Sequence, residues 1–213
     1  MTPLVFLLLS YGSPAETLHV RAAATLPPPV RAAEALGEPA FRFANGRVRV
    51  WLVRAADTVG LYVTIRDSAA SAADELVVSL DVAGDAAETP QHDDFQWQLR
   101  RNLDSSVVSR GRAGRWAPPR DDPDWRLGAE HAGGGWEVAA AESADGWAVL
   151  LRLHPQWLAG EAGRRPALAL RIYDGDPGGW YAWPAARRGA HPTTVEGAPA
   201  AWVPVVEAEP PAR

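Results

Sequence analysis

Ten tryptophans against four tyrosines and four phenylalanines set the chemistry that this 213-residue chain can offer. An indole presents a broad apolar face with one polar edge, and such a face stacks well on the C–H face of a sugar ring. Trp180, Tyr181 and Trp183 follow Asp174-Gly175-Asp176-Pro177-Gly178-Gly179, a run of turn-forming residues. They read either as a binding platform on a loop rim or as a plug closing one end of the fold. Trp116 and Trp125 flank a second loop, from Ala117 to Asp124, as a second wall of a cleft or as loop ornament. Trp97, Trp136 and Trp147 stand in register with aliphatic neighbours and are expected in the core, with Trp157 and Trp202 beside them.

The densest polar cluster is His92-Asp93-Asp94, directly before Phe95. At a strand mouth these groups, helped by Arg100 or Arg101, would hydrogen-bond sugar hydroxyls; the other reading is a solvated turn. Asp174 and Asp176, with Asp121, Asp122 and Asp124, carry the oxygen ligands that Ca²⁺ takes, without EF-hand spacing. A structural Ca²⁺ held by Asp174 and Asp176 is the one cofactor expectation, against a plain turn. Catalysis finds little support. Asp94 and Glu137 can be paired on paper as glycosidase carboxylates, yet no spacing fixes them across a scissile bond. There is no Gly-x-Ser-x-Gly elbow and no His-x-x-x-His pair among His19, His92, His131, His154 and His191. Met1 is the single methionine and cysteine is absent, which removes Met/His haem ligation, thiolate metal sites and disulfides. The expectation is a protein that binds and does not catalyse.

A formal charge of −5, with arginine as every basic side chain and no arginine-rich stripe, makes a poor nucleic-acid binder. Nineteen glycines and 19 prolines favour short elements joined by tight turns. Period-two alternation dominates: Val48-Val50-Leu52, Leu61-Val63-Ile65, Leu76-Val78-Leu80, Phe95-Trp97-Leu99, Trp136-Val138-Ala140, Trp147 to Leu153, Leu168-Leu170-Ile172, and the stretch from Trp202 to Val206. Asn45-Gly46 between two such runs predicts a hairpin. Helix is confined to Val30–Leu36 and Pro155–Leu158. The fold class is all-β: a two-sheet antiparallel β-sandwich of jelly-roll type, with about ten strands and very little helix. Residues 1–15 form an incomplete signal peptide or an apolar first strand, 16–206 one β-sandwich domain, and 207–213 a fraying tail. The apolar run Leu4 to Leu9 before Ser13-Pro14-Ala15 suggests a secreted or periplasmic protein and is too short for a stable membrane span.

Taken in order, several landmarks resemble one family. They are Glu16-Thr17-Leu18-His19-Val20, Gly60-Leu61-Tyr62-Val63, Asp74-Glu75-Leu76 running to Leu80-Asp81, Asp93-Asp94-Phe95-Gln96-Trp97, Gly135-Trp136-Glu137-Val138, Asp145-Gly146-Trp147 and Trp180-Tyr181-Ala182-Trp183-Pro184. This looks like the family 9 carbohydrate-binding modules and their DOMON-like relatives, over roughly residues 17 to 206. The resemblance implies a sugar partner and reversible binding by aromatic stacking in a loop-rimmed cleft. Two departures stand out. The opening Ile-Asp-Gly segment is replaced by Leu26-Pro27-Pro28-Pro29-Val30, and the acidic residue usual after Asp-Gly-Trp is missing from Ala148 to Trp157. They support the alternative, a structural or protein-interaction domain that kept the sandwich and lost the sugar site.

Overall fold

A computed structural model describes residues 17–103, 106–117, 136–176, 178–185 and 191–207. Through them run β1 (Leu18–Ala22), β2 (Phe41–Phe43), β3 (Val48–Ala55), β4 (Thr58–Arg66), β5 (Glu75–Asp81), β6 (Asp94–Arg100) and β7 (Val107–Arg112). They continue as β8 (Arg115–Ala117), β9 (Trp136–Ser143), β10 (Gly146–Leu153), β11 (Ala167–Asp174), β12 (Gly179–Trp183) and β13 (Val203–Glu207). Helix in the described residues amounts to α1 (Ala32–Leu36) and 3₁₀ turns at Pro29–Arg31, Pro155–Leu158, Pro192–Gly197 and Pro199–Ala201. The apolar run at Leu4–Leu9, Trp125, His131 and Asp121, Asp122 and Asp124 lie outside the described residues.

Alternation acts as expected: Val48, Val50 and Leu52 of β3 turn inward beside Leu61 and Val63 of β4 and Val149 and Leu151 of β10. The Asn45-Gly46 hairpin joins β2 to β3, pairing Phe43 with Val48, and Ala44, Asn45 and Gly46 have φ of 51°, 55° and 78°. That left-handed stretch is what Asn and Gly tolerate best. At the β9–β10 turn Gly146 lies so close to β4 that a Cβ there would stand 1.9 Å from the Ile65 carbonyl oxygen.

The strand order is β8-β7-β6-β5-β11-β13-β1-β3-β4-β10-β9, with β12 added on β11 and β2 on β3. This differs from two antiparallel sheets of about ten strands: the described residues form one mixed sheet of 13 strands. The reason is β1. Its first residues pair in parallel with β13 (Leu18 opposite Val205), and its last pair in parallel with β3 (Arg21 opposite Val53). One short strand therefore serves both halves.

The sheet curls so that its halves meet over one core, in which Val50, Val63 and Leu151 of one half join Leu76, Val78, Trp97 and Leu170 of the other. Ring contacts cross the same divide, with Phe41 on Trp183 at 3.8 Å and Trp97 edge-on to Trp136 at 6.3 Å. On the outer side of the β3–β4–β10 half, Trp51, Tyr62 and Leu150 are buried with Ala32, Leu26 and Leu36 of the segment that carries α1. Tyr62 donates its hydroxyl to the Pro27 carbonyl at 2.8 Å, and Trp51 Nε1 donates to Gly37 O at 3.0 Å.

Candidate functional site

The loop before Trp180 is tighter than the sequence reading allowed. β12 pairs with β11 in strict register: Tyr173 opposite Trp180, Ile172 opposite Tyr181, Arg171 opposite Ala182 and Leu170 opposite Trp183. A strand sends alternate side chains to opposite faces, so the aromatic trio is divided. Trp183 turns inward, 6% exposed, and stacks on Phe41. Tyr181 also faces inward, its hydroxyl accepting from Arg47 Nη1 at 3.3 Å. The cavity it lines with Ile65, Trp147 and Ile172 is only about 10 Å³, room for about one water and none for a sugar. Trp180 alone reaches the outer face, half-buried.

On that outer face Trp180 meets groups the sequence reading missed. The Arg171 guanidinium lies 4.0 Å from the Trp180 ring centre, and Tyr173 lies 4.4 Å away centre to centre. Arg171 Nη2 is 2.7 Å from Glu196 and 3.6 Å from Glu75, while Arg100 Nη2 is 3.2 Å from the same Glu75. Arg100, expected beside His92, thus belongs here, six residues along β6 from Asp94, roughly 20 Å away. Burial draws the Arg171 guanidinium below its usual range and raises the Glu196 carboxyl, each effect opposed by the other's charge. Arg171 Nε is buried without a hydrogen-bond partner. Trp116 Nε1 donates to Glu196 O, and its ring lies parallel to Trp202 at 6.3 Å, so Trp116 fixes the turn that carries Glu196. The sequence did hold a signal: Arg171 interrupts the apolar run of β11 at an outward-facing position, and Glu75 opens β5 on the same face.

The predicted metal pair is rearranged. Asp174 comes together with Asp67 and Asp74, all buried, with carboxylate oxygens within 4.8 Å of one another. Guanidinium groups supply the counter-charge: Arg47 Nη2 is 2.6 Å from Asp174, and Arg101 Nη1 is 3.3 Å from Asp67 and 3.0 Å from Asp74. Asp176 contributes its backbone N–H to Asp174 Oδ1 at 3.2 Å. Arg101 also grips Glu142 of β9 with two bonds of 2.7 and 2.6 Å, tying the halves together and holding that carboxyl below its ordinary range.

His92, Asp93 and Asp94 sit at the far end of β6. His92 is exposed, and its Nδ1 is 3.8 Å from Asp93. Asp94 is fully buried, with Oδ2 accepting from Gln91 N at 2.7 Å. Asp81, Asp85 and Asp93 bring carboxylate oxygens within 4.8 Å of one another. Burial first, and then Asp81, Asp93 and Asp85, push the Asp94 carboxyl up to about 7. Asp93 Oδ2 and Asp94 Oδ1 are buried without hydrogen-bond partners. For a hard divalent cation this oxygen-only set fits better than the arginine-filled Asp174 cluster.

The curled sheet is shared with solved proteins. A carbohydrate binding module family 9 from Caldicellulosiruptor kristjanssonii, in complex with glucose, is similar over 92% of this chain and 98% of its own, at 10% identity and a TM-score of 0.57. The same module in complex with cellotriose is similar over 92% of this chain and 97% of its own, at 9% identity and a TM-score of 0.56. No protein-family model and no curated protein matches the sequence. The resemblance drawn from the strand landmarks thus holds at the level of fold.

Proposed function

We propose that the chain binds carbohydrate reversibly and without catalysis, on the outer face of β11 and β12. Trp180 supplies the apolar contact, and Arg171, Glu75, Glu196 and Arg100 supply fixed donors and acceptors for ring hydroxyls. The observation that carries this reading is the buried guanidinium of Arg171, held at 4.0 Å on Trp180 between two carboxylates. Such a set is costly to bury, and its Nε is left buried without a partner of its own. The fold's likeness to modules that hold glucose and cellotriose supports the same choice. A Ca²⁺ ion held by Asp81, Asp85 and Asp93 belongs to this proposal as a structural group, neutralising the carboxylates crowded beside Asp94 at one end of the sheet. Export, suggested by Leu4–Leu9, belongs to it too.

The test is titration of the purified chain with glucose, cellotriose and a panel of other neutral saccharides, followed by calorimetry. The expected result is saturable binding to one sugar class, weakened about tenfold or more in Trp180→Ala and in Arg171→Met. A flat response across the panel would leave the protein-interaction reading in its place.

A further inference from the structure

Arg42, Arg49 and Arg66 meet on the outer face of the β2–β3–β4 half, across the core from Trp180. Alternation puts them there. Arg42 stands between Phe41 and Phe43, Arg49 between Val48 and Val50, and Thr64 between Val63 and Ile65, and those neighbours all pack on the core. Arg42 is directly opposite Arg49 across the β2–β3 ladder, and Arg49 is directly opposite Thr64 across the β3–β4 ladder. Arg66, two residues on from Thr64, takes the diagonal position from Arg49, about 7–8 Å away and within reach of a long side chain. We propose that this cluster is a binding site for a tetrahedral oxyanion, a sulfate or phosphate group that is either free or carried as an ester.

The missing counter-charge carries the assignment. Like charges directly opposite one another destabilise a sheet. In a chain of formal charge −5, a run of adjacent guanidiniums goes against both the local and the overall balance. The carboxylates nearby answer little of it. Glu38 meets Arg42 at 2.7 Å from a side chain 86% exposed, and Asp145 stands 3.7 Å from Arg66 with both side chains well exposed. Such surface pairs are weak and open easily. Arg47, next along β3, is committed to Asp174 and Tyr181. Arg49 has no carboxylate partner among the described residues, and its Nε is buried without a hydrogen bond. A guanidinium that has lost water at one nitrogen and gained no acceptor is a net cost to the fold. Its Nη groups make no hydrogen bond among the described residues and face outward from a half-buried side chain. Planar guanidinium forks converging from several directions suit the spread oxygens of sulfate or phosphate, whereas a carboxylate offers one plane to one fork. Thr64 adds a neutral hydroxyl donor in the same row. A neutral ligand would leave the Arg49 charge unanswered.

The test is NMR titration of the full ¹⁵N-labelled chain with sodium sulfate, sodium phosphate, glucose 6-sulfate and glucose 6-phosphate, reading the backbone amides of Arg49 and Thr64. Sodium chloride at matched ionic strength and plain glucose are the controls, and thermal melts are run beside each titration. The expected result is saturable shifts at both amides with the oxyanions, and a rise in melting temperature that chloride does not reproduce. Arg49→Gln should weaken binding about tenfold. Without oxyanion it should melt no lower than the wild type, because it removes a repelled and partly desolvated charge. Arg42→Gln, on an exposed side chain, should weaken binding as well and stands in should Arg49→Gln fail to fold. Trp180→Ala should change nothing at these positions. Esters that bind about tenfold tighter than the inorganic ions identify an esterified ligand, and equal affinities identify the free ion. Shifts that chloride reproduces, shifts that vanish with Trp180→Ala, or affinities unchanged in both arginine variants would overturn the oxyanion site. None of these results bears on neutral-sugar binding at the Trp180 face, which the saccharide panel tests separately.

Discussion

Trp180 and Trp183 differ by three positions and by everything that matters to a binding site. Trp183 is buried on Phe41, so Trp183→Ala removes a core indole and should cost about 3–5 kcal/mol in urea unfolding. Trp180→Ala forfeits one stacked cation and should cost at most about 2 kcal/mol. Asp94 sets a pH dependence. Its folded carboxyl binds the proton more tightly than in the unfolded chain, rising from 3.8 to about 7. Its contribution to stability is therefore complete below pH ~4 and lost as pH climbs through ~7. Asp94→Asn keeps an acceptor for Gln91 N and should raise the melting temperature above pH ~7, by about 2–4 °C per kcal/mol relieved, and leave it unchanged below pH ~4. Ca²⁺ added above pH ~7 should stabilise the wild type and not Asp81→Asn, and a chelator should reverse the gain. Residues such as these were half legible in the sequence. The His92-Asp93-Asp94 cluster was visible as dense polarity, but its distance from Arg100 was not, because both ends of a strand look adjacent in a list of letters.

Elements were read best where they are long. Each run of five or more alternating positions became a strand, since period-two burial needs no partner to be recognised. β2, β7, β8 and β12 are shorter or more polar, and β12 was hidden by the turn residues leading into it. Parallel pairing was invisible because parallel and antiparallel strands share the same alternation. The turns at Pro192–Gly197 and Pro199–Ala201 were also missed, and with them Glu196. At this scale the contact to probe is Arg101, which joins the β6 end to Asp67, Asp74 and Glu142. Arg101→Ala leaves two buried carboxylates uncompensated and should cost about 3–5 kcal/mol near neutrality. The loss should shrink in acid as Asp67 and Asp74 protonate, a dependence that denaturant melts at several pH values would reveal. Gly146→Ala should unseat the β9–β10 hairpin from β4, because the Ile65 carbonyl already occupies the space of the new methyl group.

For the whole molecule, the described strands form one curled mixed sheet where two separate sheets were expected, and β1 is what joins them. A chain beginning at Ala23 should lose its cooperative thermal transition, since no other strand in the described residues pairs with both β13 and β3. The same pairing governs the order of assembly. Leu18 and Val205 lie on the order of 190 positions apart, so the join between the halves is among the least local contacts the sequence can make. During synthesis β1 precedes β13, and the join between them waits until β13 has been made. The sheet therefore closes late, and until it does β1 stands as an open edge that a neighbouring chain could pair with.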